Sequence, residues 1–290
     1  MTQMSQTTQA KPKLHFSRKL LAIPYALFLA AFVVVPLLIV VYYAFTDDAG
    51  KFTWEYVRVF FTQSGEGLLG FFQSYNFKTI MRSLFISTMS TIVCLLIAYP
   101  VAYIIAHCKL KNKSTLLLLF IVPMWVNFVL RINALKELFV WLGIYNKSEA
   151  WNIVNTIIGM VYDFLPFMIL PIYTTIIKID KSYLEAAKDL GATPAKAFLK
   201  VTLPLSKAGI VSGVSMVFLP SMTNYVVSNY LTFRNVKIIG KLIDDYFTGD
   251  LWHDGSFIAL ILLLFMFLVT WLTGGFEADE QTNARGTSLW

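Results

Sequence analysis

Glu185-Ala186-Ala187, then Gly191, then, after nine intervening residues, Val201-Thr202-Leu203-Pro204, form a polar stretch between two hydrophobic ones. These residue types suit a docking surface. Ser182 and Glu185 have capping-box spacing, which predicts a helix starting at Ser182. Ala186 and Ala187 are small helix formers that let a partner surface approach closely. Gly191 falls where a helix ends with a positive backbone φ. Thr193-Pro194 reads as an N-cap followed by proline at the first helical position. Leu203-Pro204 ends or bends that second helix. Two short helices at an angle, a compact lever, are therefore expected. The alternative is an ordinary helical hairpin in which Glu185 only caps.

Asp163 is the only clear acid well inside a hydrophobic span. A carboxylate there costs on the order of 3 kcal/mol at mid-membrane and marks a candidate functional site. Pairing with a neighbouring helix, or protonation, are the other readings. Cys94 and Cys108 make neither a disulfide framework nor a metal site. His15, His107 and His253 are scattered and lack zinc-ligand spacing. No P-loop of the form G-x-x-x-x-G-K-[ST] occurs, so ATP is not bound here by that route.

The elements that must position these residues are membrane helices. The 290 residues are 57% hydrophobic and only 14% charged, against about 25% charged in a typical soluble domain. Six apolar segments emerge, at 20–45, 83–106, 114–130, 153–177, 209–231 and 256–273. Roughly 20 residues cross a bilayer core, so each suffices, the third and sixth barely. The first is too long for a signal-peptide core, and no convincing cleavage site follows it. The fold class expected is all-α integral membrane, with a tail at 1–19, a six-helix domain at 20–274 containing the polar loop at 178–208, and a tail at 275–290. No strong internal repeat is visible, and Pro36, Pro100, Pro123, Pro166, Pro171 and Pro220 interrupt the spans.

Lysine and arginine set the orientation. Lys11, Lys13, Arg18 and Lys19, then Lys109, Lys111 and Lys113, then Lys178, Lys181, Lys188, Lys196, Lys200 and Lys207 fall on one side by parity. Asp47, Asp48, Glu55, Glu66, Asp244, Asp245, Asp250 and Asp254 fall on the other. The positive-inside rule puts both termini and the polar loop in the cytoplasm. The acidic C-terminal tail, Glu277, Asp279 and Glu280, dissents mildly. The net charge of +7 is thus accounted for beside the membrane, without nucleic acid.

The Glu185-to-Pro204 stretch resembles the EAA loop of bacterial ABC importer permeases, with Val201 where that pattern has isoleucine. Val122-Pro123-Met124-Trp125-Val126-Asn127, Leu130-Arg131-Ile132-Asn133-Ala134-Leu135-Lys136 and Leu165-Pro166-Phe167-Met168-Ile169-Leu170-Pro171-Ile172-Tyr173 are similar to the B-subunit family of spermidine/putrescine permeases. Asp47-Asp48 is a weaker echo. The resemblance implies a polyamine importer in a bacterial cell membrane. It implies two ATP-binding subunits, a second homologous permease and an extracellular polyamine-binding protein. ATP and Mg would be bound by the partner subunits, with no cofactor on this chain. The ATPase-coupling residues implied are Glu185, Ala186, Ala187, Gly191, Leu203 and Pro204.

A polyamine pathway needs aromatic faces and a few weak acids. Each cation–π contact contributes roughly 0.5–2 kcal/mol, and too many fixed acids would trap the cation. Trp125, Asn127, Asp163, Tyr43 and Leu135 are the candidate pathway residues. Trp125 and Tyr43 could instead be interfacial anchors. Arg131 reads as an anchor for the outer end of its span. The acidic loop around Asp244 to Asp254 could meet the binding protein or simply be solvated. Rival functions are an EAA-loop importer for another small substrate, a stand-alone channel or secondary transporter, and a membrane enzyme. The last lacks any nucleophile–base or metal constellation.

Overall fold

The computed structural model describes residues 23–62, 72–108 and 113–272. The described residues are almost entirely helical. Four helices are long and apolar enough to cross a membrane alone: α1 (Ile23–Ala44), α3 (Tyr75–His107), α6 (Glu149–Ile176) and α12 (Trp252–Leu272). Two bent pairs bring the number to six if each is one span. They are α4 (Lys113–Ile121) with α5 (Phe128–Trp141), and α8 (Pro194–Leu205) with α9 (Lys207–Thr223). Short helices α2 (Glu55–Thr62), α7 (Lys181–Asp189), α10 (Tyr225–Leu231) and α11 (Ile239–Thr248) lie between them. The N-terminal lysines, Lys109, Lys111, Glu66 and both tails lie outside the described residues.

The core is built by α3, α6 and α9. Ile86, Met160, Met168, Ile172 and Val217 are fully buried between them. Small polar side chains line the contact: Ser83, Ser87, Ser90 and Thr91 on α3 are all buried. Small residues let helix backbones approach in a membrane, where apolar surface by itself gives no drive to associate. Ser83 and Thr91 satisfy their hydroxyls on the carbonyls of Thr79 and Ser87, one turn back. One close approach of α9 to α6 is at Gly209, where an added Cβ would sit 2.7 Å from the Pro171 carbonyl oxygen. By contrast, α1 is exposed over nearly its whole length and packs along α12.

Two expected spans are broken rather than straight. The third turns by 92° between Trp125 and Phe128. Pro123 tightens Val122–Trp125 into a 3₁₀ turn, and Asn127 then starts a new helix, its Oδ1 accepting from the N–H groups of Val129 and Leu130. The fifth stops at Asn224, four residues after Pro220, and restarts as α10. Hydropathy cannot detect the break at Asn127, because the residues flanking it are apolar. The second span is longer than expected, since Ser74 caps α3 by accepting from Phe77 N–H. The acidic connections also carry helices, α2 and α11. The Ile239 N–H donates to Ser83 Oγ across 2.7 Å and ties α11 to α3.

Candidate functional site

The polar loop folds as the lever its residue types predict, with two differences. Helix α7 begins one residue before Ser182: Asp180 is the cap, its carboxylate accepting from Ser182 N–H at 2.9 Å. With Asp180 as N-cap, Ser182 is the second residue of the helix and supplies the N–H that the cap accepts. Hydrogen bonding from Ser182, chiefly its backbone N–H, holds the Asp180 carboxyl below the usual range. Second, α8 is not uniform, because Phe198–Thr202 is a π-helical stretch. Gly191 has φ +74°, the left-handed turn expected of it. Thr193 caps α8 with Pro194 next in line. The pair α8 and α9 meets at 63°, with Ser206 between them.

The lever is fixed to the bundle by aromatic contacts. The Phe198 ring meets Tyr99 and Tyr103 edge-on at 5.6 and 5.2 Å. Tyr99 Oη and Ser206 Oγ share a 2.8 Å hydrogen bond in the buried joint. The outward face of α7 is open: Tyr183, Ala186 and Leu190 are exposed, Leu190 to 89%, and Glu185 is exposed on the side toward the bundle. Ala187 and Leu203 are half-buried, and Pro204 is exposed. Behind α7 lies a cavity of about 440 Å³. Its walls include Ala106 and His107 at the end of α3, Lys113, Tyr173, Glu185 and Lys188.

The second cluster lies where both broken spans meet α6. Arg131 Nη2 donates to Asp163 Oδ1 at 2.8 Å, with side chains 10% and 9% exposed. Asn224 Nδ2 approaches Asp163 Oδ2 at 3.4 Å. Arg131 Cζ also lies 5.8 Å from the centre of the Tyr162 ring. Arg131 is thus not the outer anchor expected: it turns inward to the one buried acid of α6. Asp163 takes the helix-pairing option that its cost allowed.

The other candidate pathway residues are dispersed. Trp125 is 77% exposed at the α4–α5 bend, and Asn127 is the cap of α5. Leu135 is half-buried against the core. Tyr43 sits at the end of α1, edge-on to His253 at 5.3 Å, away from the Arg131 cluster in the chain's packing. Within the acidic loop, Asp244 and Asp245 are paired, while Asp250 is exposed. Lys241 Nζ binds Asp244 and Asp245 at 2.6 and 2.9 Å, and Lys237 binds Asp245 at 3.1 Å. These bonds hold Lys241 and Lys237 above the ordinary lysine value. Burial pushes the Asp245 carboxyl up, but the two ammonium groups outweigh it and leave it low. Among the described residues, no group of three His, Cys, Asp or Glu side chains is placed to hold a metal.

Sequence reasoning missed Arg131, Asn224, Tyr99 and Asp180. The legible signal for Arg131 was an arginine and an acid, each inside an apolar run, on successive spans.

The chain is 34% identical to the spermidine/putrescine transport system permease protein PotB of Haemophilus influenzae, covering 88% of this chain and 91% of that one. It is 33% identical to the Escherichia coli protein of the same name, over 84% and 92%. Among solved structures, the bacterial alginate ABC transporter in complex with an alginate-bound periplasmic protein superposes with a TM-score of 0.68. At 13% identity, covering 89% of this chain and 92% of that one, that likeness establishes the fold alone. The family model described as binding-protein-dependent transport system inner membrane component matches residues 16–279. With the match spanning the bundle, the lever and the Arg131 cluster alike, the chain belongs to the family of inner membrane components of binding-protein-dependent transport systems.

Proposed function

We propose that this chain is the permease subunit of an ATP-driven importer of polyamines, spermidine or putrescine. The observation that carries the reading is the 34% identity, over 88% of the chain, to a permease protein named for spermidine/putrescine transport. In this reading α7, with Glu185 and Ala186, seats in a groove of a separate ATPase, and Gly191 sets the angle between the lever's arms. Two ATP-binding subunits, which hold ATP and Mg, a second homologous permease and an extracellular polyamine-binding protein complete the importer. The termini and the lever are cytoplasmic. This chain contributes half of the pathway, and Asp163 and Trp125 face it as two weak cation sites in series. Weak sites suit passage, because a single tight site would hold the cation.

Uptake of radiolabelled spermidine by cells making the complete importer, competed by putrescine, spermidine and spermine, tests this. Saturable uptake that polyamines compete for and that depends on the ATPase is expected. Uptake indifferent to all three polyamines would overturn the substrate. Uptake without ATP hydrolysis would overturn the importer reading.

A further inference from the structure

Arg131 is a charged, nearly buried side chain that the transport reading leaves without a task. Its guanidinium has five N–H donors, yet a single hydrogen bond, Nη2 to Oδ1, joins it to Asp163. Arginine–carboxylate pairs are strongest as two-point forks. Here Nε is buried and finds no acceptor among the described residues. Such a buried pair does little for stability, and its looseness leaves the guanidinium free to be displaced. The ring of Tyr162, already 5.8 Å from Cζ, offers it a second resting place. Tyr162 is 42% exposed, so that place lies toward the open side of α6.

The surroundings allow the exchange. Arg131 stands in the first turn of α5, four residues after the Asn127 break. The other oxygen of Asp163 is held by Asn224, at the break between α9 and α10. Asn224 is neutral, so the trio carries no net charge. A passing alkylammonium group is the same kind of ligand as the guanidinium: a cation with N–H donors.

Resting on the polyamine reading above, we infer that Arg131 is a tethered competitor cation. It occupies the Asp163 carboxylate between transport cycles and sets how tightly that carboxylate holds a substrate ammonium group. Without it, Asp163 would be a bare buried acid, and a polycation would stay there. With it, substrate binds by exchange and leaves when the guanidinium returns. Arg131 is a specificity-determining residue in this scheme, acting through Asp163.

The test uses the complete importer, purified with its partner subunits and placed in proteoliposomes. Two quantities are read with labelled spermidine: the maximal uptake rate with saturating loaded binding protein, and the spermidine that stays with the complex after gel filtration. Arg131→Gln should raise retention and lower the rate, each about tenfold, as expected for a trap. Asp163→Asn should abolish retention and lower the rate. The double variant also lacks the carboxylate that Arg131 acts through, so it should match Asp163→Asn in both readouts, with no retention and no further loss of rate, as for two groups that act as one unit. Arg131→Lys keeps the tethered cation and should resemble the parent; it decides the matter if a single charge deletion fails to assemble. Retention unchanged in Arg131→Gln, additive losses in the double variant, or a trap in Arg131→Lys would each overturn the inference while the parent still carries polyamine. A parent importer that moves no polyamine would instead overturn the substrate reading, and this inference with it.

Discussion

Arg131 Nη2 and Asp163 Oδ1 lie 2.8 Å apart, on helices whose chain positions are 32 residues distant, with both side chains about nine-tenths buried. The pair joins the bent third span to the unbroken fourth one. Asn224 adds the broken fifth span through the second carboxylate oxygen. Three elements of the bundle are therefore registered on one acid.

That relationship predicts an asymmetry in stability. Asp163→Ala strands a buried guanidinium and should cost about 3–5 kcal/mol, the usual penalty for halving a buried pair. Replacing both partners by apolar side chains, Arg131→Met with Asp163→Leu, should be close to neutral. Thermal unfolding of the detergent-solubilised protein checks this. Equal losses in the single and double variants would show that the pair itself, and not a stranded guanidinium, carries that stability.

Gly191 yields a prediction that depends on backbone alone. Its φ is +74°, and no atom lies within 4 Å of a Cβ built there. Space is available, so any penalty is conformational. Gly191→Val should cost about 1–2 kcal/mol or more, because a β-branched residue resists the left-handed region. Gly191→Asn, which tolerates that region, should cost much less. Substrate-stimulated ATP hydrolysis should fall severalfold in the valine variant while membrane insertion persists. Equal coupling in both variants would separate the bend from the ATPase.

How much of this was legible beforehand follows from what each feature depends on. The lever was readable because Gly191, Thr193 and Pro194 constrain the backbone locally. Its cap was misplaced at Ser182 because Asp180 offers the same chemistry earlier in the chain. The spans were readable from composition. Their breaks at Asn127 and Asn224 were not, since an asparagine in a span looks alike whether it caps a helix or lies within one. Arg131 was misread for a deeper reason. Its partner is 32 residues away, and only the 92° turn brings them together.

Asp180 gives a prediction with a defined pH window. Its folded-state value is lowered, so its contribution is present above the ordinary aspartate value of about 3.9 and is lost as pH falls through the folded one. Between about pH 5 and 8 the cap is therefore constant. Asp180→Ala should fray the start of α7 and weaken coupled ATP hydrolysis, while Asp180→Asn, still an acceptor, should retain most of it. The ratio of either variant to the parent should not change across that range. A loss that grew between pH 8 and 5 would point to another titrating group.

The orientation is testable with single cysteines in a background lacking Cys94 and Cys108. A cysteine at Lys196, on the exposed start of α8, should react with a membrane-impermeant reagent only after permeabilisation. One at Asp250, exposed beyond α11, should react in intact cells. The reverse pattern would invert the proposed topology and take the lever away from any cytoplasmic ATPase.

Trp125 packs little against its own chain. It is 77% exposed at the bend where α4 gives way to α5, and it follows Pro123 in the 3₁₀ turn. An indole so placed meets lipid headgroups, a second permease or the pathway between the two chains. These options differ in what they ask of the ring. An anchor uses both the apolar body and the N–H, a packing contact uses volume, and a cation site uses the π face. In the proposed pathway the face is what counts. Trp125→Phe keeps a weaker face and should retain about a third to a half of the polyamine uptake, whereas Trp125→Ala should lose most of it, for a contact of roughly 0.5–2 kcal/mol. Trp125→Leu, apolar but without a face, separates cation attraction from packing and should behave like the alanine variant. Uptake in Trp125→Leu equal to that in Trp125→Phe would assign the residue to packing and remove it from the pathway.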